Sequence, residues 1–315
     1  WMFLSSFEKL RTKLLAVDIV NMAHLGARAF EEIGGEVVQT TAFVIRKSHI
    51  ADYKGEYCRL IEPTSQQGKE DMFLSGENRY AADQSNFSKI PGSPVAYWAS
   101  LQMQNAFATA PSFPGNTKKG VLTGDNERFL RLWYEVCISK IGMTMSSHSE
   151  MVDSKKKWFP VTSGGFMRKW YGNFDTIVNL ENDGFAIRSV VKNYRLREPA
   201  YYFRETVTWT EVSSGIFSCR YVPHTILFGN GGPVSFFFTD NLYYCLALLN
   251  SSVTMSMLAY LAPTINYGPE QINKLPVLAE RKNTVDNLSK GNVKLSQQDW
   301  DSYETSWDFK RNPLV

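Results

Sequence analysis

The sequence predicts a mixed α/β fold in which the last part of a Rossmann-like, doubly wound sheet is followed by an α+β region. Near the start, a helical stretch at 7–15 precedes an apolar strand-like run at 19–26, and a glycine pair precedes the β-rich run at 36–46. Farther along, short β-rich runs and two apolar helices follow one another. The 315 residues, 43% hydrophobic and 21% charged, suffice for one large or two smaller ordered domains.

The first region begins abruptly. Its first four residues have the character of a strand end, and Ser5 or Ser6 is expected to cap the helix that follows. Gly26 is expected to end the next strand, and residues 57–61 form a shorter candidate strand. Because a domain seldom starts with a finished strand, we expect the sequence to be a piece of a longer chain.

Residues 62–116 are polar and rich in proline and glycine, which predicts connecting structure. Within this stretch we expect one helical turn at 70–74 and an amphipathic helix over 97–107.

The stretch from 118 to 135 joins two lysines to a Thr-Gly-Asp-Asn turn and an amphipathic pattern. Glycine tolerates positive φ, and Asp125 or Asn126 can bond to nearby backbone, so the turn is well specified. Asn126 is expected to cap a helix. The residues that would share its apolar side are Phe129, Leu130, Leu132 and Trp133.

Short β-runs are expected at 207–210, 215–221 and 225–228. The glycine-rich segment 229–232 resembles a phosphate loop. However, no Lys-Ser or Lys-Thr follows it and Pro233 would break a helix there, so a hairpin turn is the better interpretation.

The apolar stretch 242–262 predicts two helices rather than a membrane span. A Thr-Asp pair would cap the first helix, Asn250 and Ser251 would interrupt the stretch, and Pro263 would end it. No signal peptide is visible in the sequence. We therefore expect a soluble, cytoplasmic protein with no membrane partner.

Basic and aromatic residues alternate in two blocks, at 155–172 and 192–204. This alternation is typical of surfaces that contact phosphates and stack on bases. A solvated basic loop beside a hydrophobic core produces the same pattern, and the net charge of +3 permits nucleic-acid binding without requiring it. The candidate nucleic-acid contacts are Lys118, Lys119, Arg128, Lys155, Lys156, Lys157, Arg168, Lys169, Arg195, Arg197, Arg204 and Arg220.

Catalytic and metal-binding patterns give no candidate residues. No H-E-x-x-H is present, and no Ser-His-Asp or Cys-His arrangement has local support. The four cysteines are widely spaced, which argues against a disulfide framework or a zinc knuckle. From the residues alone the sequence predicts a mixed α/β protein with a basic, aromatic second half.

Long stretches of the sequence resemble the later part of the proteins of the PglX family, the adenine-specific DNA methyltransferases of BREX phage-defence systems. A looser resemblance is to restriction–modification methylases in which a target-recognition domain follows the methyltransferase on one chain. The matching text includes WMFLSSFEKLR (1–11), NMAHLGARAFEEIGGEVVQTTAFVIR (21–46), YCRLIEPTSQQGKEDMF (57–73), NFSKIPGSPVAYW (86–98), KKGVLTGDNERFLRLWYEV (118–136) and WDSYETSWDF (300–309).

The resemblance implies a division of labour along the chain. Residues 1–64 would be the C-terminal edge of a methyltransferase domain, 65–116 a connecting region, 117–280 a target-recognition domain, and 281–315 the start of a C-terminal segment. In the family the S-adenosylmethionine loop and the Asn-Pro-Pro-Tyr motif, which grips a flipped adenine, precede the WMFLSS text. Neither motif is in this sequence, so we expect no cofactor in this chain and no methylation by it alone.

The partners implied are double-stranded DNA, the N-terminal methyltransferase half and other defence-system proteins. A second hypothesis is a protein-interaction module that docks other defence components or an inhibitor that mimics DNA, suggested by the acidic, tryptophan-rich tail at 299–311. A third is a carbohydrate-binding module, suggested only by the 14% aromatic content.

Overall fold

A computed structural model describes residues 1–30, 32–33, 39–237, 240–262 and 265–314. The chain forms two compact units, and each is mixed α/β. The first contains Trp1–Ala110 and Ala259–Pro263, and the second contains Pro111–Leu258 and Thr264–Val315.

Three sequence predictions lie outside the described residues: the glycine pair at 34–35, the helix cap at Thr239 and the helix stop at Pro263. The compact units divide at Ala110, inside the stretch 65–116 predicted to connect two domains. Most of that stretch therefore packs with the first unit, because its apolar side chains have a core to join.

The first unit is built on a mixed four-stranded sheet with the order β2-β1-β3-β4. Strand β1 runs antiparallel to β2 and parallel to β3, and β4 runs antiparallel to β3. The elements are α1 (Glu8–Leu14), β1 (Asp18–Ala27), β2 (Gln39–Arg46), β3 (Lys54–Arg59), α2 (Gln66–Ser75), β4 (Arg79–Asp83) and α3 (Leu101–Thr109).

Gly26 was expected to end its strand, but β1 continues to Ala27. Gly26 instead sits at a register irregularity with φ +67°, where a Cβ atom would lie 2.8 Å from Cγ2 of Ile61. Its glycine character therefore serves a bend within the strand and a close approach of the chain.

The beginning of the chain differs from the prediction. The first four residues form no strand, and a 3₁₀ turn over Ser5–Phe7 leads into α1, whose N-cap residue is Phe7 and not a serine. Arg11, which is 1% exposed, holds this segment because its guanidinium donates to the carbonyls of Trp1, Leu4 and Gly92. A buried arginine thus supplies the order that capping was expected to supply.

His24 on β1 is buried in the core of the first unit. Its Nδ1 lies 3.0 Å from the hydroxyl of Tyr97. Burial, with further contributions from the positive charges of Arg59 and Lys69, lowers the pKa of His24 to about 4. The imidazole is therefore neutral in the folded protein near neutral pH.

The second unit contains two four-stranded sheets, with the orders β10-β9-β12-β5 and β11-β7-β8-β6. Its strands are β5 (Asn116–Lys118), β6 (Leu130–Leu132), β7 (Trp158–Thr162), β8 (Thr176–Asn179), β9 (Thr206–Trp209), β10 (Cys219–Val222), β11 (Leu227–Phe228) and β12 (Val234–Phe236). Its helices are α4 (Asn126–Phe129), α5 (His148–Asp153), α6 (Glu181–Val190), α7 (Leu242–Leu249), α8 (Ser252–Leu261), α9 (Pro269–Asn273) and α10 (Lys282–Trp300). Helix α8 crosses into the first unit at Ala259.

Both sheets of the second unit contribute to one hydrophobic core. Phe159 of β7 and Val178 of β8 pack there with Phe236 of β12 and Phe129 of α4. Every residue of β7 and β9 is buried. Strand β7 accordingly has a largely apolar sequence, whereas in β9 the buried hydroxyls of Thr206 and Thr208 donate to the carbonyls of Ser235 and Pro233.

The helix predicted after the Thr-Gly-Asp-Asn turn is wrong beyond its first turn. Helix α4 ends at Phe129, and the next three residues form β6, in which Leu130 pairs with Val178 of β8. The cap is Asp125, not Asn126, because the Asp125 carboxylate accepts the N–H of Arg128 at 3.1 Å. Pairing with a strand some fifty residues away thus overrides the local helical pattern.

The segment 229–232 is not a hairpin turn. It joins β11, which pairs with β7, to β12, which pairs with β5 and β9. The glycine-rich segment is therefore the connection between the two sheets of the second unit.

Helices α7 and α8 confirm the predicted helix pair and the break at Asn250 and Ser251. Within the described ranges no single helix is long and apolar enough to cross a membrane. Taken together, α7 and α8 have the required length and composition, but the pair is bent by 73°.

Candidate nucleic-acid interface

Three chain segments and Val178 of β8 meet around a cavity of about 220 Å³ in the second unit. The three segments are the stretch that leads into α4, the end of β7 and the glycine-rich 229–231 segment. The lining residues are all neutral at their side chains: Val121, Leu122, Asn126, Leu130, Val161, Thr162, Ser163, Val178, Gly229, Asn230 and Gly231.

Backbone hydrogen bonds fix the walls of this cavity. Val121 N–H donates to the carbonyl of Phe228 at 2.8 Å, and Asn230 N–H donates to the carbonyl of Val121 at 2.9 Å. Gly229 N–H donates to Oγ1 of Thr162 at 3.2 Å. A Cβ atom on Gly229 would lie 2.2 Å from the Thr162 carbonyl oxygen, so only glycine permits this approach.

The cavity offers amides and hydroxyls rather than acids or bases. Oδ1 of Asn126 accepts the hydroxyl of Thr123 at 2.7 Å, which orients the Asn126 amide. Oγ of Ser163 lies 2.9 Å from the hydroxyl of Thr176. Such groups can hydrogen-bond a ligand but supply no general acid or base near neutral pH.

Exposed cations flank the cavity. Arg195 is tied to the cavity wall because its N–H and carbonyl exchange hydrogen bonds of 2.8 and 2.9 Å with Leu122. Arg128 lies in α4, two residues after the lining residue Asn126. Both side chains are exposed. Each of these two predicted contacts is therefore adjacent to a residue that lines the cavity, Arg195 through backbone pairing and Arg128 along the chain.

Lys118 and Lys119 precede the same wall but already have protein partners. The ammonium of Lys118 lies 5.0 Å from the ring centre of Tyr201, and Lys119 pairs with the carboxylate of Glu211. Both lysines are half-buried.

Next to the cavity, residues 163–168 form a loop whose backbone is held at four points. Its carbonyls at 164, 165 and 166 accept from Arg220 at 3.3 Å, Thr210 Oγ1 at 2.9 Å and Asn173 Nδ2 at 2.8 Å. The N–H of Arg168 donates to Oγ of Ser218 at 3.2 Å. Its two glycines have φ values of +94° and +107°, conformations that few other residues adopt.

Arg168 and Lys169, at the end of this loop, anchor the chain to its surroundings. The Arg168 guanidinium donates to a carboxylate oxygen of Asp299 at 2.5 Å and lies 5.1 Å from the ring centre of Trp300. Lys169 donates to the carbonyl of Asn250 at 2.8 Å. Both side chains therefore have structural partners in the described structure.

Arg220 requires a correction, because a phosphate contact was expected of it. The side chain is 1% exposed, and its guanidinium donates to the carbonyls of Gly164 and Arg168. Burial lowers the pKa of Arg220 to about 10. Arg220 therefore holds the backbone of the 163–168 loop through these hydrogen bonds and is too buried to contact a phosphate.

None of the twelve predicted contacts lines the cavity itself, and the remaining five lie as follows. Lys156 donates to the carbonyl of Ser139, and Lys157 lies 3.7 Å from the carboxylate of Glu181. Lys155 and Arg204 are exposed. Arg197 is half-buried, and this desolvation lowers its pKa.

The acidic, tryptophan-rich tail packs on the second unit. Trp300 contacts Arg168, and the carbonyl of Thr305 accepts the indole N–H of Trp133 at 2.9 Å. Because Trp300 and Thr305 make these contacts within the second unit, they give less reason to regard the tail as a free docking surface.

Sequence reasoning missed the cavity asparagines and the tip of the 163–168 loop. Asn126 was read as a helix cap, and Asn230 as part of a turn. The tip residue Phe166 is 93% exposed, and the signal that could have found it is the glycine pair directly before an apolar pair. Within the described part of the chain, no group of three or more His, Cys, Asp or Glu side chains is placed to hold a metal ion.

The chain is 42% identical over its full length to the adenine-specific methyltransferase PglX of Lacticaseibacillus casei (strain Zhang). The resemblance to PglX is confirmed. The chain is also 40% identical over its full length to the adenine-specific methyltransferase BrxX of Escherichia coli O9:H4 (strain HS). It spans 27% of that PglX and 26% of that BrxX, about a quarter of each relative. No family model matches the chain.

The fold is similar to that of a solved restriction–modification enzyme. The Type IIL enzyme MmeI, determined in complex with DNA, matches 98% of this chain and 42% of its own chain with a TM-score of 0.52. The sequence identity is 10%, so this likeness concerns the fold alone.

Proposed function

We propose that this chain is the DNA-binding, target-recognition portion of a site-specific adenine-N6 DNA methyltransferase of a phage-defence or restriction–modification system. The observation that carries the proposal is the neutral cavity of the second unit, whose lining includes Asn126 and Asn230, with the exposed Arg195 and Arg128 next to its lining residues. The similarity to PglX and BrxX, which are named adenine-specific methyltransferases, supports it.

In this proposal the charged and neutral groups have different tasks. The exposed cations contact phosphates and set the register of the duplex without reading its sequence. The cavity provides amides and hydroxyls, which are the groups that discriminate base edges, since an asparagine can pair with both N6 and N7 of adenine. Asn126 and Asn230 are the proposed base-reading candidates.

The first unit is proposed to be the C-terminal edge of a methyltransferase sheet. Its sheet combines one parallel pair with antiparallel strands at both edges, which suits the closing strands of a doubly wound sheet. The 315 residues contain neither a glycine-rich cofactor loop after a strand nor an Asn-Pro-Pro-Tyr motif. We therefore assign S-adenosylmethionine binding and methyl transfer to other parts of the protein, and derive no catalytic step from these residues.

The test is DNA binding by the 315-residue chain. A duplex pool of about 30 base pairs with a randomised centre is titrated at salt concentrations from about 50 to about 200 mM. We expect the logarithm of the affinity to fall linearly with the logarithm of the salt concentration, because bound cations release counterions from DNA. Repeated selection from the pool is expected to enrich one sequence.

Circular dichroism shows whether the sample is folded. A folded sample that binds no duplex at the lowest salt concentration would falsify the proposal. Binding without any enriched sequence would reduce it to non-specific DNA association.

A further inference from the structure

The tip of the 163–168 loop presents two apolar side chains to solvent. Phe166 is 93% exposed and Met167 is 55% exposed. Exposing a whole phenyl ring is unfavourable in water, so a position that keeps one exposed calls for an explanation.

The loop holds this ring out because its backbone is fixed on both sides. The hydrogen bonds from Arg220, Thr210 and Asn173 fix three consecutive carbonyls, and one of them is the carbonyl of Phe166 itself. The positive φ values of Gly164 and Gly165 set the direction in which the tip projects. Because its backbone is already fixed, the tip loses little backbone freedom when it binds a partner.

The position of the tip relates it to the proposed DNA interface. Ser163, the first residue of the loop, lines the cavity. Gly164 packs against the cavity's glycine-rich wall, since a Cβ atom on it would lie 3.0 Å from the carbonyl oxygen of Gly231. Arg195 and Arg128 flank the same cavity. The loop that carries the tip and the residues next to these cations therefore contribute to the walls of one cavity.

We propose that Phe166 is a wedge that inserts between stacked base pairs of the DNA duplex bound at this cavity, with Met167 packed against the groove beside it. This inference rests on the proposed function and deepens it by assigning a DNA-distorting residue. Phenylalanine and methionine are among the side chains that other DNA-binding proteins insert between base steps. The insertion unstacks one step and bends the duplex toward the surface that binds it.

The size and surroundings of the tip favour DNA over a protein partner. A stable protein interface buries about 800 Å² on each side, which needs a continuous surface and not a two-residue tip. A single base step, in contrast, offers a stacking surface that matches one aromatic ring. The flanking cations complement phosphates.

The experiment compares two duplexes of about 30 base pairs, one fully paired and one with a single central abasic site. In the abasic duplex the unstacking cost is already met, so a wedge binds it more tightly. The proteins are the wild-type chain, Phe166→Ala, Phe166→Trp and Phe185→Ala. Phe185 is the matched control, because it is 67% exposed on helix α6 and does not line the cavity.

We expect the wild-type chain to prefer the abasic duplex by about tenfold, within the range that a base-stacking aromatic side chain supplies. Phe166→Ala is expected to lose this preference while keeping the salt dependence of binding. Phe166→Trp and Phe185→Ala are expected to keep the preference. Fluorescence of 2-aminopurine placed at the centre of the fully paired duplex reports the unstacking directly.

Two results overturn the inference and are distinguishable. If the wild-type chain binds both duplexes equally, or if Phe166→Ala keeps the preference, DNA binding stands but the wedge does not. The exposed ring would then belong to a contact with another part of the longer protein. If the wild-type chain binds neither duplex, the proposed function fails and the wedge fails with it.

Discussion

Asn250 pairs with the backbone of Cys219 through both ends of its side-chain amide. Oδ1 accepts the N–H of Cys219 at 2.9 Å, and Nδ2 donates to the Cys219 carbonyl at 2.9 Å. Asn250, at the break between helices α7 and α8, thereby bonds to the first residue of strand β10. Its own carbonyl accepts Lys169, so one residue joins the strand, the helix pair and the end of the 163–168 loop.

Asn250→Ala is expected to destabilise the second unit by about 1–3 kcal/mol, because two hydrogen bonds are lost and the buried Cys219 N–H loses its partner, while the Cys219 carbonyl keeps the N–H of Trp170. Urea unfolding gives the free energy, and amide hydrogen exchange of strand β10 gives the location. Asn287→Ala, at an exposed site on α10, is the control and should leave both unchanged. Slow exchange of β10 in Asn250→Ala would contradict this role.

Gly172→Ala and Gly291→Ala are expected to act in opposite directions. Gly172 has φ +115°, and a Cβ atom there would lie 2.5 Å from Nε of Arg168 and 2.9 Å from Cε3 of Trp300. Alanine should therefore destabilise the unit by roughly 1–3 kcal/mol. At Gly291, inside α10, a Cβ atom meets nothing within 4 Å, so alanine should stabilise by roughly 0.5–1 kcal/mol. Thermal unfolding of the two variants measures both changes in stability. Equal changes in the two variants would contradict the different roles given to Gly172 and Gly291.

The stability of the first unit is expected to fall as the pH drops from about 6.5 to about 4. His24 has its folded-state pKa lowered to about 4, against 6.5 when unfolded, so the unfolded chain takes up the proton first. The contribution of neutral His24 to the unfolding free energy is fully present above pH 6.5 and is lost as the pH falls to about 4. It amounts to about 3 kcal/mol by linkage. Urea unfolding at several pH values measures it. In His24→Gln the dependence of unfolding free energy on pH within this window should become shallower, and an unchanged slope would assign the pH dependence to other groups.

Arg195→Ala is expected to weaken duplex binding and to reduce the slope of log affinity against log salt by about one, as for the loss of one phosphate contact. Its thermal stability should stay near that of the wild type, because the hydrogen bonds to Leu122 are made by the backbone. Lys294→Ala removes the same charge from an exposed site on α10 that does not line the cavity, and should leave the slope unchanged. Equal effects of the two variants would show that total charge, rather than position, governs binding.

Local pattern predicted the elements whose partners are near in sequence or whose faces are strongly apolar. Strands β1, β2 and β3 and the helices α7 and α8 belong to this group. The helix expected after Asn126 was wrong because β6 exists only through its pairing with β8. Such pairing is decided by tertiary packing, and no local signal encodes it.

Helix α10, the longest helix in the described structure, was not predicted. Its buried stripe is formed by Asp286, Ser289 and Val293, so two of the three buried positions are polar. Asp286 is buried because Lys282 pairs with it at 2.5 Å. A periodicity analysis looks for apolar residues and therefore finds no stripe here.

The candidate site shows the same limit for charged residues. Arg195 and Arg220 carry the same side chain in similar aromatic surroundings, yet one is exposed and the other is 1% exposed. The sequence predicted that the second half would be basic and aromatic. Only the fold decides which guanidinium faces solvent and which supports a loop.

Helix α10 reaches back to the chain that carries the loop tip: Ser296 donates to the carbonyls of Lys169 and Tyr171, while Asp299 and Trp300 hold Arg168. Under the proposed function, an exchange of specificity between relatives should therefore transfer the continuous stretch from Pro111 to the end of α10. A hybrid cut near residue 280 would combine the 163–168 loop of one relative with the α10 contacts of another.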